Sequence, residues 1–402
     1  METTGKNPAF CILPWVHMYV DPTGDVFSCC IHTPDIPPLG NIHQETPEQI
    51  WNGSKMRELR KDFMSGKRRP DNCASCYFNE AAKNDSHRIN FNSRFSEQQA
   101  ELLPLTTEDG HLSEMKLKHW DFRFSNTCNL KCRTCGPEYS SSWRDDAKKM
   151  GRHFEPDKRI FNTYEFAMRH IESVEEIYFA GGEPLLMKEH FDILNELCRL
   201  NRKKVRLSYN SNLSTLRYGK HSIVDLWKNF ENILISPSVD HIGAKAEYIR
   251  KGIHWETFVE NVTTLGKEIP WARMSPTVTV SVFNIMEISE IHRNLVAMNI
   301  VHRDRPADLE FNILRVPDFY SIAILPPELK KVAEERISAY RAELLSKSNI
   351  YLPAFDNVLR ALREDLSQQI PHFLKTTETL DKIRGESFFD LFPEYEILKQ
   401  YA

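Results

Sequence analysis

From Trp120 onward the chain alternates short apolar runs with amphipathic helical stretches, and that alternation admits few folds. The runs are "HWDFRF" (119–124), "EEIYFAGG" (175–182), "KVRLSYNSN" (204–212), "ENILISPSVD" (231–240), "TVTVSVF" (277–283) and "ADLEFNILRV" (307–316). Each reads as a strand, and the segments between them, such as "MKEHFDILNELCRLN" and "EISEIHRNLVAM", carry helical spacing. Strands joined through helices imply a parallel sheet with right-handed crossovers. Six units are too few for an eight-fold barrel and suit a partial, open (β/α)6 one. The expected fold class is therefore α/β, with its active site at the carboxyl edge of the strands.

The first 95 residues look different. Short strands around "WVHMYVDPTGDVFSCC" and a Pro-rich loop "TPDIPPLG" precede a helix capped by Thr46, with Pro47 at its first position and Gly66 near its end. This reads as a small, loop-rich module that owes its stability to bound metal. Residues 96–117 are polar and read as a connector, 118–320 as the barrel, and 321–402 as a helical extension whose Phe388, Phe389, Leu391 and Phe392 pack back.

Nine cysteines fall mostly in two groups: Cys11, Cys29, Cys30, Cys73 and Cys76 in the first module, and Cys128, Cys132 and Cys135 just after the first barrel strand. Cys198 stands alone at helical spacing with Phe191, Leu194 and Leu197 and reads as a packed thiol. In a reducing compartment such clusters point to metal. Soft thiolates take zinc, copper(I) or iron–sulfur clusters, and structural zinc wants a closed set of four ligands. Three cysteines spaced C-x3-C-x2-C fit better to a cubane cluster with one iron left open to bind and reduce a small molecule.

The remaining composition excludes little. The formal net charge of −4 gives no reason to expect nucleic acid, and Lys67-Arg68-Arg69 reads as a solvated face. With no apolar run near the ~20 residues of a membrane span and no signal pattern in "METTGKNPAF", the expected location is the cytoplasm, away from membranes.

The triplet after a first strand resembles the signature of the radical S-adenosylmethionine (radical SAM) enzymes, whose fold is a partial (β/α)6 barrel. The resemblance implies that Cys128, Cys132 and Cys135 hold a [4Fe-4S] cluster whose open iron chelates S-adenosylmethionine, and that one electron cleaves the cofactor to a 5′-deoxyadenosyl radical. Thr134 stands where the family usually has an aromatic residue. "YFAGGEPLL" supplies Gly181, Gly182, Glu183 and Pro184 at the second strand's end, matching the element that meets the methionyl ammonium. By the same resemblance Ser208, Asn210 and Asn212 face the ribose. Ser238 and Asp240 follow the fourth strand, Arg250 is placed to meet the cofactor carboxylate, and the Val316-Pro317 step lies against adenine.

The first module resembles the SPASM or twitch domains, which bind auxiliary [4Fe-4S] clusters. Cys11, Gly24 and Cys29, then Cys73 and Cys76 in "DNCASCYFNE", match the first part of that pattern. The module precedes the barrel instead of following it, and the later C-x5-C-x3-C ligands are absent, so one auxiliary cluster is implied, with Cys30 as an alternate ligand or packed thiol. Zinc remains the rival for this closed set of four. The implied activity is hydrogen abstraction from a peptide or protein side chain, or from a small metabolite, with an electron donor such as flavodoxin or ferredoxin. The competing reading is a non-catalytic iron–sulfur or zinc protein that transfers electrons, senses redox state or staples two domains.

Overall fold

The computed structural model of the chain describes residues 7–33, 36–81, 85–154, 161–301, 309–348 and 353–401. Among the described residues fourteen strands follow in order: β1 His17–Val20, β2 Asp25–Phe27, β3 Gly40–Asn41, β4 His119–Phe122, β5 Lys131–Cys132, β6 Glu176–Phe179 and β7 Arg206–Ser211. Then come β8 Arg217–Tyr218, β9 His221–Ser222, β10 Asn232–Pro237, β11 Arg250–Lys251, β12 Arg273–Met274, β13 Thr277–Val280 and β14 Glu310–Ile313. Strands β4, β6, β7, β10 and β12 are consecutive parallel neighbours, and β13 pairs in parallel with β14. This is the mostly parallel sheet of a partial barrel, with helices such as Lys188–Arg199 and Trp255–Glu268 in the crossovers.

Two strands differ in detail from the sequence pattern. The fifth is split: β12 leaves the main sheet at Ser275, Pro276 has no N–H to continue the ladder, and β13 resumes through a Ser238–Thr277 bridge. The sixth is shorter than its apolar run, and Ala307 and Asp308, where that run begins, lie outside the described residues, as do 1–6 of the first module.

The first module is not a separate small body. Strand β1 lies parallel to β4 with His17 opposite His119 and Tyr19 opposite Asp121, so the sheet runs on through β1, β2 and β3. The buried Trp15, Trp51, Leu59 and Phe63 belong to the same continuous core as Trp120 and Phe122. Its stability therefore comes from apolar burial as well as from any bound metal. Thr46 does cap a helix, in a capping box with Gln49, but that helix stops at Trp51 and a second, Ser54–Met64, restarts after Gly53. The segment read as a connector holds a helix, Ser96–Leu102, and buries Leu102, Leu112 and Leu117.

Around Lys67-Arg68-Arg69 the charges are satisfied locally: Lys67 and Arg69 pair with Asp62, and Arg68 lies over the Tyr77 ring. The C-terminal segment is helical, and Phe388 and Phe392 are buried against Tyr248 and Phe283. Among the described residues no helix is long and apolar enough to cross a membrane.

Candidate cofactor site at the carboxyl edge of the barrel

The loop after β4 is held by side chains two turns further on. Ser141 Oγ accepts from the Cys128 N–H at 3.2 Å, Ser142 Oγ donates to the Cys128 carbonyl at 2.7 Å, and Ser140 Oγ donates to the Leu130 carbonyl at 2.6 Å. Cys132 sits on β5, which pairs antiparallel with β11 so that Arg250 lies opposite it. Trp143 Nε1 donates to the Cys132 carbonyl at 2.8 Å. The main chain at Cys128, Leu130 and Cys132 is thus anchored in the loop that follows the first barrel strand.

The "GGEP" turn is strapped onto this loop. The Glu183 N–H donates to the Thr127 carbonyl at 2.7 Å, one residue before Cys128. Gly181 and Gly182 have φ of +78° and +54°, and a Cβ on Gly182 would lie 2.4 Å from the Thr127 carbonyl oxygen, so only glycine allows the approach. Glu183 is 1% exposed. Its Oε1 accepts from Ser211 Oγ at 2.7 Å and from the Leu185 N–H at 3.1 Å, while Oε2 accepts from the Asn212 N–H at 2.7 Å. Burial raises its carboxyl above the usual range, against these donors. The side chain therefore ties the turn to the end of β7, and Pro184 opens the buried 3₁₀ turn that follows.

Of the other residues singled out in the sequence, Asn212 adjoins this junction, whereas Ser208 sits within β7, opposite Tyr178 and Leu234. Asn212 Nδ2 donates to Asn129 Oδ1 at 3.1 Å and lies 4.0 Å from Cys128 Sγ. Ser208 is buried and Asn210 half-buried on β7, alternating with Leu207 and Tyr209. The half-buried Ser238 donates its N–H to the Ser211 carbonyl at 2.8 Å. Arg250 lies between Asp240, at 2.9 Å, and Cys132 Sγ, at 3.6 Å, so in this structure its guanidinium faces a thiol and a carboxylate. Val316 is 71% exposed.

Four residues escaped the sequence reading. Asp121 and Arg123, the polar partners of Trp120 and Phe122 in the alternation of "HWDFRF", form a pair with contacts of 2.7 and 3.2 Å. The Arg123 guanidinium lies over Tyr19 and Tyr178, and its Cδ backs against Gly181. The period-2 pattern held the signal, since Asp121 and Arg123 share the face opposite two large aromatics.

In the first module Cys11, Cys29, Cys73 and Cys76 line one cavity, flanked by His87 and Arg88. Cys30 is not among its lining residues: burial and then the Asp121 carboxylate push its thiol up, which sets it on the Asp121 and Arg123 side.

Among the described residues no group of three or more His, Cys, Asp or Glu side chains is drawn together to hold a single ion, so the fit of a cluster rests on donor chemistry. Burial pushes Cys128 and Cys135 up to about 12 and raises Cys132, with the neighbouring cysteines adding to the shift for Cys128 and Cys135. Burial likewise raises Cys73 to about 12 and Cys29 and Cys11 well above the usual thiol value. Desolvated thiols of this kind become good thiolate ligands only when a cationic centre replaces their protons, and both sets fit an iron–sulfur cluster on that ground.

The radical SAM superfamily matches residues 122–292, the stretch that carries the triplet, the "GGEP" turn and Arg250. That stretch is a radical SAM domain. More narrowly, residues 11–77 match SPASM, an iron–sulfur cluster-binding domain, so this is a radical SAM protein with a SPASM domain on the amino-terminal side of its barrel. No curated protein matches the chain. Among solved structures, native anSMEcpe with bound AdoMet aligns at 15% identity over 57% of this chain and 61% of that one, with a TM-score of 0.39. SuiB of Streptococcus suis bound to S-adenosylmethionine aligns at 14% identity over 70% of this chain and 64% of that one, TM-score 0.38. The chain thus spans about six-tenths of the length of these two structures.

Proposed function

We propose that the chain is an enzyme that reductively cleaves S-adenosylmethionine and abstracts hydrogen from a substrate. Cys128, Cys132 and Cys135 would hold a [4Fe-4S] cluster, and Cys11, Cys29, Cys73 and Cys76 one auxiliary cluster. When bound, the first cluster supplies an open iron and the electron that cleaves the cofactor. The observation that carries the reading is the junction at Glu183. Its side chain and main chain tie the cysteine loop, the glycine turn and the end of β7 together, at the carboxyl edge where parallel sheets bind ligands.

The chain's own residues have separate tasks there. Gly181 and Gly182 bare main chain for the cofactor's ammonium, and Glu183 fixes that main chain in place. Asn212 and Ser208 offer polar groups toward the ribose. Arg250 keeps a positive charge against Cys132, which favours the thiolate form. Asp121, Arg123, Tyr19 and Tyr178 line the barrel beside the turn and would face the substrate, so a polar group is expected on it: a peptide or protein side chain, or a small metabolite. A flavodoxin- or ferredoxin-type donor would supply the electron, and the cytoplasm suits nine cysteines that are all free of disulfides.

The test is direct. Anaerobically reconstituted, dithionite-reduced protein incubated with S-adenosylmethionine should release methionine and 5′-deoxyadenosine. Yields no higher than in a cluster-free control would return the chain to the competing reading, a non-catalytic metal protein.

A further inference from the structure

The stretch matched by the superfamily ends at residue 292, yet the cysteine loop is gripped from nearly a hundred residues beyond it. Both neighbours of Cys132 are engaged. Arg133, fully buried, pairs with Asp381 and, at 2.7 Å, with Glu386, and Lys251 on the paired strand reaches Glu386 at 2.8 Å. Lys131 lies 3.0 Å from Asp146 Oδ1, whose other oxygen is 2.9 Å from Arg384 Nε. Arg384 is the last residue of the helix Ile370–Arg384, which ends at Gly385 with φ +66°. Its guanidinium lies 4.8 Å from the centre of the Trp143 ring, the same indole that holds the Cys132 carbonyl.

The charges in this shell do not cancel. Arg133 and Lys251 are matched by Asp381 and Glu386, and Arg250 by Asp240. Among the described residues Lys131 and Arg384 share Asp146 alone, which leaves one positive charge over in these pairs. Lys131 is a third exposed, so water screens it, whereas Arg384 and Asp146 are each 2% exposed. The two terminal nitrogens of Arg384 have no hydrogen-bond partner among the described residues. A buried cation with unused donors beside a redox site favours the state with one more electron.

We propose that Arg384, delivered by the C-terminal extension, is a positioning residue that sets the reduction potential of the cluster held by Cys128, Cys132 and Cys135. This rests on the function proposed above, and no step of the reaction passes through Arg384. The extension is then a working part of the cofactor site, and its helix end supplies a charge that the superfamily-matched stretch does not.

Four proteins decide it: wild type, Arg384→Met, Arg384→Lys and Asp146→Asn, each reconstituted anaerobically and assayed first for iron. The potential is read by redox titration followed by electron paramagnetic resonance, on the signal that a Cys132→Ala variant lacks. Arg384→Met should lower the potential, Arg384→Lys should stay near wild type, and Asp146→Asn should raise it, with iron content unchanged in all. Opposite shifts are the signature, because a merely structural disturbance would not reverse sign with charge. No shift in iron-replete protein, or shifts in one direction, overturns the proposal. Should Arg384→Met fail to hold iron, the other two decide: a raised potential in Asp146→Asn with wild-type behaviour of the Lys variant supports it, and anything else overturns it. A wild type that shows this pattern yet makes no 5′-deoxyadenosine refutes the proposed function and leaves the charge assignment standing, while a triplet that binds no iron refutes both.

Discussion

Replacing Glu183 by glutamine tests the junction at its centre. Glutamine keeps the shape but turns one carboxylate oxygen into an NH2 donor. If the NH2 takes the Oε2 position it confronts the Asn212 N–H, and if it takes the Oε1 position it confronts the Leu185 N–H. Either way one buried backbone donor loses its acceptor, while Ser211 can rotate its hydroxyl. A charge-assisted bond lost in a buried site costs about 1.5 to 3 kcal/mol. Relief of the burial cost that raises the Glu183 carboxyl offsets part of this, so the lower half of the range is the better estimate. Since the Glu183 carboxylate accepts from Leu185, Ser211 and Asn212 and supplies no sulfur ligand, iron content should stay at the wild-type value. Affinity for S-adenosylmethionine, measured anaerobically by equilibrium dialysis, should fall by roughly tenfold or somewhat more, at about 1.4 kcal/mol per factor of ten. A folded, iron-replete variant that binds the cofactor as tightly as wild type would refute the argument that the turn's geometry depends on this carboxylate.

Three further outcomes are expected. Gly182→Ala, which puts a Cβ 2.4 Å from the Thr127 carbonyl oxygen at a φ of +54°, should abolish cofactor binding or unfold the turn, and normal binding in dialysis would contradict the close approach. Cys30→Ser should keep all its iron, whereas Cys29→Ser should lose the auxiliary cluster, about 4 irons; equal losses in a colorimetric iron assay would make Cys30 a ligand. Burial lowers His17 to about 4, His190 to about 3 and His292 to about 4, below the unfolded value of 6.5. The unfolded chain therefore binds more protons below pH 6.5, and the stability these neutral rings contribute is complete above that value and lost as pH falls toward 4. Each ring removes up to about 1.4 kcal/mol per pH unit, so denaturant midpoints that do not change between pH 7 and pH 5 would count against their burial as neutral groups.

Local chemistry was legible in the sequence, and long-range pairing was not. The C-x3-C-x2-C spacing, the "GGEP" turn and the six barrel strands announce themselves because each is written in consecutive residues. Thr46, Pro47 and Gln49 spell a capping box in the same way. The pairing of β1 with β4 is different: it joins residues about a hundred positions apart, and nothing in "HMYV" names its neighbour. The spacing marked Cys29 as the ligand of the two vicinal cysteines but left Cys30 open, and the fold sends Cys29 to the auxiliary cavity and Cys30 toward Asp121. Asp121 and Arg123 were visible as an alternation, but a buried ion pair beside the glycine turn required the barrel to close around it. Nothing in the sequence pairs Arg133 with Asp381, 248 positions apart, and they meet only when the last helix is docked on the cysteine loop.

The central claim is that the triplet alone carries the reactive cluster. It is tested most directly by comparing wild type with the triple variant Cys128→Ala, Cys132→Ala, Cys135→Ala, measuring iron and 5′-deoxyadenosine in the same reduced, S-adenosylmethionine-treated samples. The account predicts about 8 irons and product in wild type, and about 4 irons and no product in the variant, since four thiolates hold one [4Fe-4S] cluster without help from the triplet. Product from the variant, or a folded variant with no iron, would contradict it.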